Sequence, residues 1–237
     1  MGSVSPGHFV FVHGAWHDSS QWDAVRRELT DSPTSTVDLR STGQDPARLG
    51  DLYADADAVR IHVKRVREAD PAAQITVVAH SYAGIPVAQG LCPDGSQVLA
   101  DRLVFLGAFL LDVGESLWSA VGAVAPDWWA IEPERDLVDP VDPVRHFYGD
   151  LPAERALPAT ARLRHQRLSS FTQELTRASW RDVPTDYIVL DQDCAIPPVV
   201  QQAMAARASR VHHLETSHSP FLSKPAELAE LLRSHQP

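Results

Sequence analysis

Apolar positions along the chain alternate between two spacings. Short β-favouring runs are followed by longer stretches with helical periodicity, the pattern of a parallel sheet covered by helices on both faces. His8–Val12 is a compact apolar strand, and residues 21–30 place Trp22, Val25 and Leu29 on one helical face. Residues 36–39 read as a short strand, 48–69 as a long helix that Pro71 helps close, and 75–79 as a central strand. A helix follows from Gly84, and residues 102–111 form the next strand. Between residues 112 and 182 the pattern breaks. This segment holds Trp118, Trp128, Trp129 and Trp180, is rich in proline (Pro126, Pro133, Pro140, Pro143, Pro152, Pro158), and reads as short helical pieces. It is expected to be a cap inserted into one domain spanning residues 1–237. The alternation returns with a strand at Thr185–Leu190, a helix over 198–207, a strand over 211–214 and a last helix at Pro225–Arg233.

Composition narrows the class without naming the chemistry. A length of 237 residues favours one domain, and 44% hydrophobic with 22% charged residues is the balance of a globular protein in water. The formal net charge of −10 argues against a general affinity for nucleic acid or for anionic membranes. The apolar runs are too short to span a bilayer. Residues 1–7 lack the basic and apolar regions of a secretory leader. Cys92 and Cys194 stand far apart and outside any metal-ligand spacing, which suits free thiols in a reducing cytoplasm. The pattern leaves the assembly open, with a homodimer among the alternatives.

Candidate chemistry begins where the central strand ends. Ile75-Thr-Val-Val-Ala-His-Ser81-Tyr-Ala-Gly84 runs a buried-type strand into a lone serine flanked by small residues. A serine hydroxyl is a weak nucleophile and needs a sharp turn beside a base, so this strand–turn–helix junction reads as a nucleophile elbow. Alanines 79 and 83 occupy the positions where glycine is usual. The same segment also fits an ordinary helix N-cap. Three other segments favour the catalytic reading. His13-Gly14-Ala15-Trp16 follows the first strand and offers, with the residue after the serine, backbone N–H groups for a developing oxyanion, which nominates Ala15 and Tyr82. Asp191-Gln192-Asp193 follows the strand ending at Leu190, where a carboxylate can orient a histidine. Asp193 leads there, with Asp191 second and Asp112 a third alternative. His218 lies in the loop before the last helix, where a general base belongs. His13, His17 and His80 lack the carboxylates of a metal site and are read as structural, His80 beneath the elbow. No cofactor is expected.

The segments Phe9-Val-Phe-Val-His-Gly-Ala-Trp-His17, Val77-Val-Ala-His-Ser-Tyr-Ala-Gly84, Tyr187–Asp193 with Ala195-Ile-Pro-Pro198, and His218–Pro225 resemble the plant methylesterase and hydroxynitrile lyase branch of the α/β-hydrolase superfamily and its small bacterial esterase relatives. In the 112–182 segment the likeness is looser, through Phe147–Pro152. The resemblance implies an α/β-hydrolase fold with Ser81 as nucleophile, Asp193 as acid, His218 as base, and the Ala15 and Tyr82 amides as oxyanion hole. The lyases of that branch use a threonine beside the loop histidine and a lysine directly after the catalytic histidine. Gly14 and Ser219 stand at those positions here, which favours ester hydrolysis over cyanohydrin cleavage. The expected substrate is a small, largely apolar ester, with Trp118, Trp128, Trp129 and Phe147 as candidate pocket walls. A lactonase, lyase or cyclisation reaction on the same fold, or a receptor that retains the triad, are the competing readings.

Overall fold

A computed structural model describes residues 7–92 and 98–234; residues 1–6, on which the leader expectation chiefly rests, lie outside that description. The strands in chain order are β1 (His8–Val12), β2 (Thr34–Val37), β3 (Thr42–Gly43), β4 (Ile75–His80), β5 (Arg102–Leu106), β6 (Trp129–Glu132), β7 (Leu137–Pro140), β8 (His165–Arg167), β9 (Thr185–Leu190) and β10 (Arg210–Leu214). The α-helices are α1 (Asp23–Glu28), α2 (Leu52–Ala69), α3 (Gly84–Gly90), α4 (Leu117–Ala120), α5 (Pro143–Phe147), α6 (Ala153–Thr160), α7 (Ser169–Thr172), α8 (Pro198–Ala205), α9 (Pro220–Ser223) and α10 (Pro225–Arg233).

Six strands form a parallel sheet in the order β10-β9-β5-β4-β1-β2. A parallel sheet needs crossover helices on its faces, so its strands are apolar on both sides. Successive side chains alternate accordingly. Val10, Val12, Val77, Ala79 and Phe105 point into one core with α2 and α3, whereas Phe9, Phe11, Val78, Val104 and Leu106 pack with Trp22 and α10.

The structure moves several element ends. The helix expected from residue 48 starts at Leu52, where the Asp51 side chain accepts the Ala54 N–H as an N-cap; Arg48 closes a separate 3-10 turn. The helix expected over 21–30 is a 3-10 turn at Ser19–Trp22 running into α1. The strand expected to reach residue 111 stops at Leu106, because Gly107 turns the chain at φ +46°. A side chain at Gly107 would also press on Leu190, its Cβ falling 2.6 Å from Leu190 Cδ1. Leu110 and Leu111 are apolar because they are buried, not because they extend a strand.

The segment between β5 and β9 is not helical pieces alone. β6, β7 and β8 pair antiparallel, and β8 recruits β3 from outside the segment into a four-stranded sheet ordered β3-β8-β7-β6. Proline at a strand end, charged edges and a buried glutamine in β8 erase the alternating signal that would have marked these strands. The sheet stands beside the carboxyl ends of β1 and β4, where Trp16 Nε1 donates to the Val138 carbonyl at 2.7 Å.

Candidate active site

β4 delivers Ser81 to a left-handed backbone conformation, φ +56°, and a 3-10 turn leads from it into α3. A non-glycine residue with positive φ is strained, and such strain concentrates where a side chain must be presented. The alanines of the relaxed motif are fully buried at this junction. Glycine is needed at position 84 instead, since a Cβ there would overlap the Phe109 carbonyl oxygen and crowd the Phe105 ring. The strand-to-helix approach is therefore kept by Gly84, one residue beyond the usual motif.

His218 and Asp193 reach Ser81 from two other loops. His218 Nε2 lies 3.0 Å from Ser81 Oγ, and His218 Nδ1 lies 2.7 Å from Asp193 Oδ2. All three residues are buried, Ser81 being 7% exposed. The Ala195 and Ile196 N–H groups donate to Asp193 Oδ1 at 2.7 and 3.0 Å, a turn that aims the carboxylate. Gln201 Nε2 donates to Asp193 Oδ2 at 2.9 Å, while Gln201 Oε1 accepts the Leu190 N–H at 3.0 Å, so its amide cannot flip. These three donors fix the Asp193 carboxyl with Oδ2 facing the imidazole N–H. Of the other acids, Asp191 pairs with His213 Nδ1 at 2.8 Å and Asp112 with Arg181; neither meets His218.

The loop after β1 is pinned peptide by peptide. His13 Nε2 accepts the Leu39 N–H at 3.0 Å, so its Nδ1 carries the proton and donates to the Gly14 carbonyl at 2.8 Å. In a planar trans peptide that carbonyl points opposite to the Ala15 N–H, which is thereby aimed. Among the described residues the Ala15 N–H has no protein acceptor. The Tyr82 N–H lies in the first helical turn, where amides lack an intrahelical partner. His17 Nδ1 donates to the Ala15 carbonyl at 2.7 Å and its Nε2 accepts the Tyr148 hydroxyl at 2.9 Å. Burial pushes the His17 pKa down to about 4, so this imidazole stays neutral. His80 donates from Nε2 to the His218 carbonyl at 2.9 Å, and burial holds its pKa well below the ordinary histidine range. A Cβ at position 14 would fall 2.9 Å from His80 Nδ1 and 3.0 Å from Ser81 Cβ, so a threonine there requires both to shift.

A cavity of about 30 Å³ is lined by Ser81 and His218 together with Ala15 and Tyr82. Trp128, Trp129 and Phe147 line it, as does a set that sequence reasoning missed: Trp16, Phe171 and Ile196. Trp118 is not in that lining; it packs at the edge of the core. A broader polar basin of about 580 Å³, bordered by His13, His17, Arg40 and Arg164, does not reach Ser81. Gln201 and Gln166 were also missed. They are polar residues whose burial shows only once their partners do.

A parallel sheet with serine, acid and histidine in the loops after β4, β9 and β10 is a hydrolase-like architecture. Residues 9–231 match the alpha/beta hydrolase family, and the chain belongs to it. Its relatives place it in the methylesterase-like branch. It is 28% identical over 200 residues to the "Probable hydrolase R7" of a Phoma species, covering 81% of each chain. It is 24% identical to "Methylesterase 18" of Arabidopsis thaliana over 97% of both chains. Among solved structures, a pyrethroid hydrolase from Sphingobium faniae superposes with a TM-score of 0.80 at 21% identity, covering 97% of each chain. No helix among the described residues is long and apolar enough to cross a membrane.

Proposed function

We propose that this protein is a carboxylic ester hydrolase that cleaves a small, largely apolar ester through an acyl-enzyme on Ser81. The observation that carries this reading is the unbroken line from Ser81 Oγ through His218 to Asp193 Oδ2, with steps of 3.0 and 2.7 Å. His218 takes the serine proton as Oγ attacks the ester carbonyl, then gives it to the leaving alcohol. Asp193 holds the Nδ1–H tautomer and stabilises the imidazolium. Charge on the carbonyl oxygen is met by the Ala15 and Tyr82 amides. Water activated by His218 releases the acid and restores Ser81.

Residues 112–182 act as the cap of this site. Trp128, Trp129 and Phe147 supply apolar walls for the substrate, which the narrow cavity keeps small or requires to enter by displacing them. Crowding at Gly14 disfavours the threonine that the related lyases use, and so supports hydrolysis. Cys92 and Cys194 form no disulfide among the described residues, which fits a reducing, cytoplasmic setting. Wild-type protein should hydrolyse p-nitrophenyl acetate and be labelled on Ser81 by a fluorophosphonate, with Ser81→Ala inert in both assays. Near-normal hydrolysis by Ser81→Ala would sink the assignment.

A further inference from the structure

We infer that a buried hydrogen-bonded chain, Gln166–Ser41–Asp55–Tyr82, positions both halves of the oxyanion site from behind and ties them to the 112–182 segment. The inference rests on the proposed serine hydrolase chemistry. The chain draws on four parts of the fold: β8, the loop after β2, α2 and the elbow. Gln166, Ser41, Asp55 and Tyr82 are each fully buried.

At one end, Tyr82 OH donates to Asp55 Oδ2 at 2.8 Å. Tyr82 carries one oxyanion amide, and its side-chain anchor fixes the α-carbon to which that nitrogen is bonded. Ser41 Oγ also donates to Asp55 Oδ2, at 2.5 Å, while the Arg40 and Ser41 N–H groups fill Oδ1. Four donors saturate the carboxylate, so Ser41 Oγ has only its acceptor side left for Gln166 Nε2, 2.7 Å away. Gln166 Nε2 gives its second proton to Ser170 Oγ at 2.7 Å.

At the other end, Gln166 Oε1 accepts the Trp16 N–H at 3.4 Å and the Thr42 hydroxyl at 2.5 Å. A flipped amide would set NH₂ against the Trp16 N–H, so one orientation is possible. Trp16 has φ +63°, a strained position for a tryptophan. Gln166 holds the N–H and His17 the carbonyl of the Ala15–Trp16 peptide, and His13 holds the peptide before it. Ala15, the second oxyanion residue, is thus fixed on both sides. A network serving packing alone has no reason to end on the neighbours of both oxyanion amides. Gln166, Ser41 and Asp55 are positioning residues, since none of them lines the cavity that reaches Ser81.

Tyr82→Phe and Gln166→Leu test the chain without touching Ser81, His218 or Asp193. Each variant, checked as folded by circular dichroism, is compared with wild type for kcat and KM on p-nitrophenyl acetate. The rate of Ser81 labelling by a fluorophosphonate, whose phosphoryl oxygen draws on the same amides, is the second readout. Both kcat and labelling rate should fall about ten- to a hundredfold while KM stays within about twofold. Unchanged kcat and labelling in a folded variant, or a loss confined to KM, overturns the inference. Should Gln166→Leu not fold, Tyr82→Phe removes a single oxygen atom and decides alone. A wild type that labels but hydrolyses no ester refutes the hydrolase reading, and the labelling ratio still judges the chain. A wild type that fails to label removes both.

Discussion

In the six-stranded sheet, β4 and β9 are buried at every residue, whereas in the four-stranded sheet β8 buries only Gln166. The first is held by removal of apolar surface from water, which is tolerant of detail. The second is stitched by specific polar contacts. Asp136 takes the Ser169 N–H and hydroxyl, both at 2.8 Å, Arg167 donates to the Leu49 carbonyl at 2.5 Å, and Arg164 pairs with Asp18. Hydrogen bonds of this kind contribute little net stability when made but cost more when a buried partner is left unmet. The site lies on the seam. Ser81, His218 and Asp193 rise from strand ends of the apolar sheet, and much of the cavity wall comes from the stitched segment.

The largest expected effect falls on the apolar half and tests whether its loops carry the chemistry. In Asp193→Asn, the Ala195 and Ile196 N–H groups at Oδ1 keep the carbonyl oxygen on their side. The new NH₂ then faces both the Gln201 Nε2 donor and His218 Nδ1, which must become an acceptor and leave the proton on Nε2, the nitrogen beside Ser81. Turnover of p-nitrophenyl acetate should fall about ten-thousandfold, with intrinsic tryptophan fluorescence unchanged, four of the six tryptophans lying in the 112–182 segment. A loss under about tenfold, well short of what the wrong tautomer costs, would show that the imidazole is oriented by other means.

That half was also the legible one. Apolar runs marked the strands of the parallel sheet, and the order Ser81, Asp193, His218 at strand ends picked out three side chains that lie within hydrogen-bond reach of one another. Chain order alone put Asp193 first and kept Asp191 as the second choice. What separates them is a local turn in which Asp193 accepts N–H groups two and three residues on, a habit of aspartate that spacing from the strand does not encode. In the stitched half the signal vanished for a physical reason. Gln166, the inward residue of β8, is polar and reads as surface until its four partners are known. Trp118 erred the other way: aromatic character marks burial and not which side of a wall is faced.

A middle-sized effect probes the polar seam through pH. Asp55 is fully buried, and burial outweighs its hydrogen bonds to push its pKa from 3.8 up to about 6. A carboxyl whose folded pKa lies above its unfolded value takes up protons more readily when folded. Its contribution to stability is therefore full below about pH 4 and is lost as pH rises through about 6. Urea unfolding of wild type and Asp55→Asn across that range should give a stability difference that turns against wild type by about 3 kcal/mol as pH rises. A flat difference would mean that the four donors cancel desolvation. A difference that turns toward wild type would mean that they exceed it.

The smallest expected effect separates buried stitching from its exposed counterpart. His165 Nδ1 lies 2.7 Å from Asp139 Oδ2 and joins β8 to β7, yet the two side chains are 38% and 30% exposed. At that exposure solvent screens the pair, and ordering both side chains offsets much of its attraction, so such contacts contribute about 0–1 kcal/mol. Gln166, one residue along the same strand, makes its contacts where no water replaces them. His165→Ala should shift the urea midpoint by an amount equivalent to less than about 1 kcal/mol and leave kcat alone. Gln166→Leu should lower kcat despite its neighbouring position. If the two substitutions cost the same in both measurements, burial is not what distinguishes them, and the antiparallel sheet is held by its edges as much as by its seam.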